Sequence, residues 1–191
     1  MSLKKVLKKF SLTFGREDED YGTIMFNEVE LKQKELDDLS LFYEYLKFDK
    51  HFTIGGEFFM NIQPSSNIKK SQNGWYFITD SNGKTLNDDT NWDKNWIVFG
   101  DRNGDAIYFN KNDKGIYGSV NKKRTYKLSN SLEQFFFVLN ECMKLEQNKY
   151  KFETVDEDDE VLDSFINDVN EILKKEIEKS NSVDFISFFF E

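Results

Sequence analysis

Cysteine, histidine and proline each occur only once in the 191 residues, and each scarcity removes a class of protein. Cys142 alone cannot close an intrachain disulfide, and Cys142 with His51 cannot supply the ligand set of a structural zinc site. No metal or cofactor is therefore expected, and a reducing cytoplasm is the compartment that fits. Long apolar runs are missing too. None approaches the roughly 20 residues that span a bilayer, and Lys4, Lys5, Lys8 and Lys9 interrupt the stretch that a signal peptide would need. No membrane span is expected. Positive charge is in short supply: 26 Lys and Arg against 35 Asp and Glu leave a net charge of −9, and the pI is about 4.8. Nucleic-acid affinity comes largely from Lys and Arg displacing counterions, so this balance argues against a broad phosphate-binding face and against a nucleic-acid partner. An acidic protein is better placed to meet a basic one. The chain has no glycine-rich phosphate loop, no His-Glu-x-x-His pair and no Gly-x-Ser-x-Gly elbow.

What is present is aromatic. The chain is 38% hydrophobic and 16% aromatic, with 20 Phe, so disorder is excluded even though 32% of residues are charged. Its length suits one domain that buries about 70% of its unfolded surface without metals or staples.

Organisation along the chain follows from hydrophobic period and turn residues. Leu3, Val6, Leu7 and Phe10 fall at helical spacing among lysines, so residues 1–27 read as a basic amphipathic segment followed by the charged loop Gly15–Asp20. That segment either touches a membrane surface or partner, or docks on its own domain, and docking is the commoner fate. From about Val29 to Phe48, Leu36, Leu39, Phe42, Tyr43 and Leu46 predict an amphipathic helix. Strand-like pieces follow at Phe52–Ile54, Phe58–Ile62, Trp75–Thr79, Trp96–Phe99, Ala106–Asn110 and Ile116–Val120. Turn signals separate them: Gly55-Gly56, Asn82-Gly83, the stretch from Gly100 to Asp105, and the stretch from Lys111 to Gly115. This is a meander of antiparallel strands. Ser131 and Gln134 can form a capping box for a helix whose apolar face holds Leu132, Phe135, Phe136, Leu139, Cys142, Met143 and Leu145. Residues 147–191 form an extension: an acidic connector from Glu153 to Glu160, a helix with Leu162, Phe165, Val169, Ile172 and Ile177 inward, and a Phe-rich tail. The tail, Val183–Phe190, is too apolar for water and is expected to dock as an extra strand or to make a self-contact between copies. The fold class is α+β: a central, mostly antiparallel sheet with N-terminal and C-terminal helices packed against it.

Few residues suggest chemistry. Asp101-Arg102-Asn103-Gly104-Asp105 places oxygen side chains like the start of a calcium loop. Ala106 and Asn112 stand where an EF-hand needs Gly and a bidentate Glu, so it reads as a strand-connecting turn whose carboxylates are exposed anchors. Cys142 lies within an apolar helix face, separated from His51 by the whole sheet region, and core packing is the better reading. A small hydrolase would need those two side by side, or a carboxylate pair. Trp75, Trp92, Trp96, Tyr108 and Tyr117 read as sheet core rather than a base-stacking platform. Trp92, among Asn91, Asp93 and Lys94, is either a lid over that core or an interface anchor.

The order of parts is itself informative. A helix ending in Leu41–Leu46, the Gly55-Gly56 turn, Trp96–Asp101 running through Gly104–Phe109, and a closing helix that opens Ser-Leu-Glu-Gln-Phe-Phe over Ser131–Phe136 together resemble the SMI1/KNR4, or SUKH, superfamily. The resemblance covers residues 28–146. The proline usual near the family's first helices is missing, and the chain beyond residue 150 lies outside the alignable part. The resemblance implies a binding protein without catalytic activity. Bacterial members are inferred to be immunity proteins that bind and block a cognate polymorphic toxin, often a nuclease, and fungal relatives act as scaffolds in cell-wall synthesis and signalling. The first reading expects a basic toxin domain held at 1:1, with Trp92, Asp101, Arg102, Asp105 and Tyr117 as contact residues. The second expects several weaker partners on the Phe-rich tail.

Overall fold

The computed structural model describes residues 1–14, 21–29 and 36–191. The expected loop at 15–20 and the first part of the helix expected from Val29 lie outside the described residues. Around this gap the fold is α+β, and the meander is its centre.

Four long strands form a continuous antiparallel run: β7 (Trp96–Arg102), β8 (Asp105–Asn110), β9 (Ile116–Val120) and β10 (Arg124–Ser129), labelled by position among all strands. Before them come β1 (Met25–Phe26), β2 (Leu46–Lys47), β3 (Phe52–Ile54), β4 (Met60–Ile62), β5 (Phe77–Thr79) and β6 (Thr85–Asn87). The main sheet has six strands in the order β10-β9-β8-β7-β4-β3. The β7–β8 connection is tighter than the sequence suggested. Asp101 and Arg102 still belong to β7, and the turn is only Asn103-Gly104, both with positive φ (52° and 90°), as a two-residue hairpin turn of this hand requires. Asn121 and Lys122 (φ 51° and 59°) also take positive φ in the three-residue loop that leads into β10, where Arg124 pairs with Val120.

Two expected strands change place. Trp75–Thr79 contributes only β5, which pairs with β6 alone in a separate two-stranded ribbon. The chain before it is held by a side chain instead of a strand ladder. Gln72 donates from Nε2 to the Val98 carbonyl at 2.9 Å and accepts from the Val98 amide at 3.1 Å, satisfying a stretch of β7 that β4 is too short to reach. The Val183–Phe190 tail is not a strand but the end of a helix.

The helices are α1 (Leu3–Phe14), α2 (Asp38–Tyr45), α3 (Ile68–Ser71), α4 (Leu132–Leu145), α5 (Asp163–Glu176) and α6 (Lys179–Phe190). In α1 the stripe Val6, Leu7, Phe10 and Phe14 is buried, so the basic segment docks on its own domain. Asp37 caps α2, accepting from the Ser40 amide at 2.8 Å. The capping box of α4 forms with a shift of one residue: Ser131 Oγ accepts from the Gln134 amide, and Gln134 Oε1 accepts from the Asn130 amide. Helix α6 buries Phe185, Phe188 and Phe189, spaced at three and four, and lies along the edge strand β10. There Asp184 Oδ2 accepts from the Lys127 amide at 2.8 Å, and Phe188 occupies the space that a side chain at Gly118 would fill. An edge that invites pairing with another chain is thus covered from within. With those rings consumed inside the fold, the tail does not offer them for contact between copies.

Alternation along the strands divides the sheet into two faces. Phe99, Ile107, Phe109 and Ile116 point into the large core built with α1, α2 and α4–α6. Val98, Ala106 and Tyr108 point the other way, under Trp92 and its neighbours. Ile97 and Phe99 alternate onto the helix side, and a bulge between Val98 and Gly100 then shifts the register so that Gly100 stands opposite Ile107 and Asp101 opposite Ala106.

Candidate partner-binding surfaces

The sheet face away from the helices is roofed by residues 72–95. Trp92 is its keystone and is only 2% exposed. Its indole N–H donates to the Trp96 carbonyl at 3.0 Å, and its ring lies 4.9 Å from Trp75, 5.2 Å from Trp96 and 4.9 Å from Tyr108. Of its two readings the lid is the one realised, and Trp92 is not an exposed anchor. Asp88 folds the roof down: it accepts from the Asn91 side chain at 2.8 Å and from Lys122 Nζ at 2.6 Å, tying the roof to the β9–β10 turn. The Lys122 bond, then the Asn91 bond, hold the Asp88 carboxyl below the usual carboxylate range.

Tyr117 stacks on Tyr108 with centroids 5.3 Å apart and remains half-buried at the rim. Its hydroxyl donates to Asp113 Oδ2 at 2.5 Å, and Lys127 Nζ stands 3.7 Å from Asp113 and 5.8 Å from the Tyr117 ring. Burial, then the Asp113 carboxylate, push the Tyr117 phenol well above its ordinary range.

The remaining contact candidates separate. Asp101 shares the roofed side of the sheet, where residues opposite one another point the same way, and joins a polar row with Asn61 (3.3 Å) and Gln63 (3.5 Å). Arg102 and its cross-strand partner Asp105 face the helices. Arg102 donates to the carbonyls of Glu57 (3.3 Å), Phe59 (3.2 Å) and Phe189 (2.6 Å), and its guanidinium lies 5.3 Å from the Phe189 ring. Its donors are therefore committed to seating α6 rather than offered to a partner. Burial lifts the Asp105 carboxyl above its ordinary value, against the opposing pull of Arg102. Trp92 and Tyr117 thus meet through Tyr108, while the two carboxylates of the supposed calcium loop lie on opposite faces. Among the described residues no group of three or more His, Cys, Asp or Glu is placed to hold a metal ion.

Cys142 is fully buried on α4, and burial, then Glu146 and Glu141, push its thiol far above the range in which it would ionise. His51 is exposed between β2 and β3.

The most telling surface feature is one that whole-chain charge conceals. Residues 58–132 carry 11 Lys and Arg against 7 Asp, a net charge of +4, whereas residues 133–191 carry 6 against 16, a net charge of −10. A count by segment was enough to find it. The acidic part is ordered. The connector closes through a Val155–Val161 bridge, and Asp156 Oδ1 accepts from the amides of Asp158 (2.9 Å) and Glu160 (3.1 Å). Glu157, Asp158, Asp159, Glu160 and Asp163 stand exposed around it. On α5, Asp168 accepts from Tyr150 at 2.6 Å and pairs with Lys149.

No family model, curated protein or solved structure matches the chain. Among the described residues no helix is long and apolar enough to cross a membrane.

Proposed function

We propose that this protein is a non-enzymatic binding module that neutralises a cognate toxin of basic character, the role that its resemblance to the SUKH superfamily implies. The segregation of charge supports this reading: residues 133–191 have a net charge of −10, and within them Glu157, Asp158, Asp159, Glu160 and Asp163 stand exposed on an ordered loop that holds no Lys or Arg. Carboxylates fixed on a folded loop lose little freedom on pairing, and a single-signed patch raises the rate of encounter with a cationic domain and rejects acidic competitors. Catalysis finds no comparable support, because the thiol is buried and the imidazole stands exposed on a loop. The alternative of a scaffold whose contact is the Phe-rich tail is weakened by the burial of Phe185, Phe188 and Phe189.

The reading is tested by capturing the partner from source cells and measuring its association with the wild type and with Glu157→Lys/Asp158→Lys/Glu160→Lys. Asp156 and Asp159 are spared because they shape the loop. The expected result is one basic partner at 1:1, with association about tenfold slower in the variant at low salt and the difference shrinking as salt screens it. Equal rates at low salt would move the contact elsewhere, and a set of weak acidic partners would sink the reading.

A further inference from the structure

Two open clefts run side by side at the end of the sheet where the β7–β8 and β9–β10 turns lie. One, of about 590 Å³, is lined by Ser66, Lys69, Lys70, Asn73, Phe77 and Thr85. The other, of about 420 Å³, is lined by Asn73, Gly74, Trp75, Gly104, Asn121 and Lys122. Asn73 belongs to both, so they form one groove with a half-buried aromatic ring in each part. Its cations are largely uncommitted. Lys69 and Lys70 are exposed and have no ion-pair partner among the described residues. Lys122 alone is neutralised, by Asp88. All of these residues fall within the segment of net charge +4.

We infer that this groove binds single-stranded nucleic acid, a function separate from the acidic surface and independent of the toxin-binding reading. Non-specific single-strand sites combine aromatic rings, on which bases stack, with cations that follow the backbone. Trp75 and Phe77 supply the rings. Lys69 and Lys70 supply the free cations at one end, and the side-chain amides of Asn73 and Asn121 can meet base edges along the rest. An acidic peptide would use the same cations but would leave the Phe77 ring, and the part of Trp75 not packed on Trp92, without stacked partners. The chain's overall charge of −9 does not oppose this, because charges beyond about 10 Å are screened at ordinary ionic strength.

The test is fluorescence anisotropy of a labelled twelve-residue oligothymidylate with the full-length protein at low salt, with a poly-glutamate of matched length as competitor. About two phosphate contacts predict a slope of log K against log salt near −1.4, roughly a sevenfold loss between 50 and 200 mM. Lys69→Glu/Lys70→Glu lies wholly on the exposed surface and is expected to weaken binding at least tenfold with the thermal unfolding midpoint unchanged. Trp75→Phe keeps a ring in place and is expected to remove most of the oligonucleotide-induced quenching of tryptophan fluorescence. No binding at low salt, equal binding by the lysine variant, or displacement of the oligonucleotide by poly-glutamate at equal charge would each overturn the inference.

Discussion

The two faces of the sheet use alternate residues of the same strands, yet they are closed by different means. Toward α1, α2 and α4–α6 lies a phenylalanine core in which Phe136 sits 4.9 Å from the Phe10 ring and 5.0 Å from the Phe42 ring, its polar ties confined to the margin where Arg102 and Asp184 seat α6. Toward residues 72–95 lies a smaller tryptophan and tyrosine cluster, held down by Gln72, the Trp92 indole and the Asp88–Lys122 pair. Apolar burial binds the first face through the whole molecule, whereas the second depends on a few directional contacts. The helix side should therefore set global stability, and the roof should be able to open by itself.

Three substitutions separate the two faces. Phe136→Ala should have the largest effect, about 3–5 kcal/mol in urea unfolding, because a fully buried ring leaves a cavity that every packed helix feels. Gln72→Ala should cost less, about 1–3 kcal/mol, by orphaning the Val98 amide and carbonyl. Its signature is local: faster hydrogen exchange across 72–95 with α6 unaffected. Faster exchange throughout would mean that the roof is not a separate unit. Asp88→Asn should have the smallest effect, and it should depend on pH. Because the folded-state pKa of Asp88 lies below its unfolded value, its contribution is present above about pH 4 and disappears as the pH falls through the folded value. Wild type and Asp88→Asn should differ in melting temperature at pH 7 and converge once the pH has fallen below the folded value; a gap that persists there would mean that the carboxylate's charge does not hold the roof.

Much of this architecture was legible because local chemistry and tertiary packing agree. Asn103-Gly104 turns the chain between two apolar strands, the Ser131–Gln134 pair starts α4, and α1 buries the stripe that its spacing announced. The errors fall where period or burial is ambiguous. The tail carries so many aromatics that its spacing fits a strand as well as a helix, and only the docking of Phe185, Phe188 and Phe189 decides. Strand β10 is hard to read from sequence although Tyr126 and Leu128 alternate with Thr125 and Lys127, because charged residues at its start mimic a loop. Trp92 lies among polar neighbours in sequence, yet the Asp88 turn folds it inward. Arg102 looked like a surface charge because nothing local shows that three carbonyls distant in sequence converge on it. The acidic surface was hidden by averaging charge over the whole chain.

The proposed function rests on the carboxylates of residues 133–191, and not the roofed sheet face, meeting the partner. Its most direct test is the association rate of the captured partner with Glu157→Lys/Asp158→Lys/Glu160→Lys, compared with a variant reversed at Asp89 and Asp93 on the roof. The account predicts that only the first slows association at low salt, by about tenfold. Slowing by the roof variant alone would contradict it.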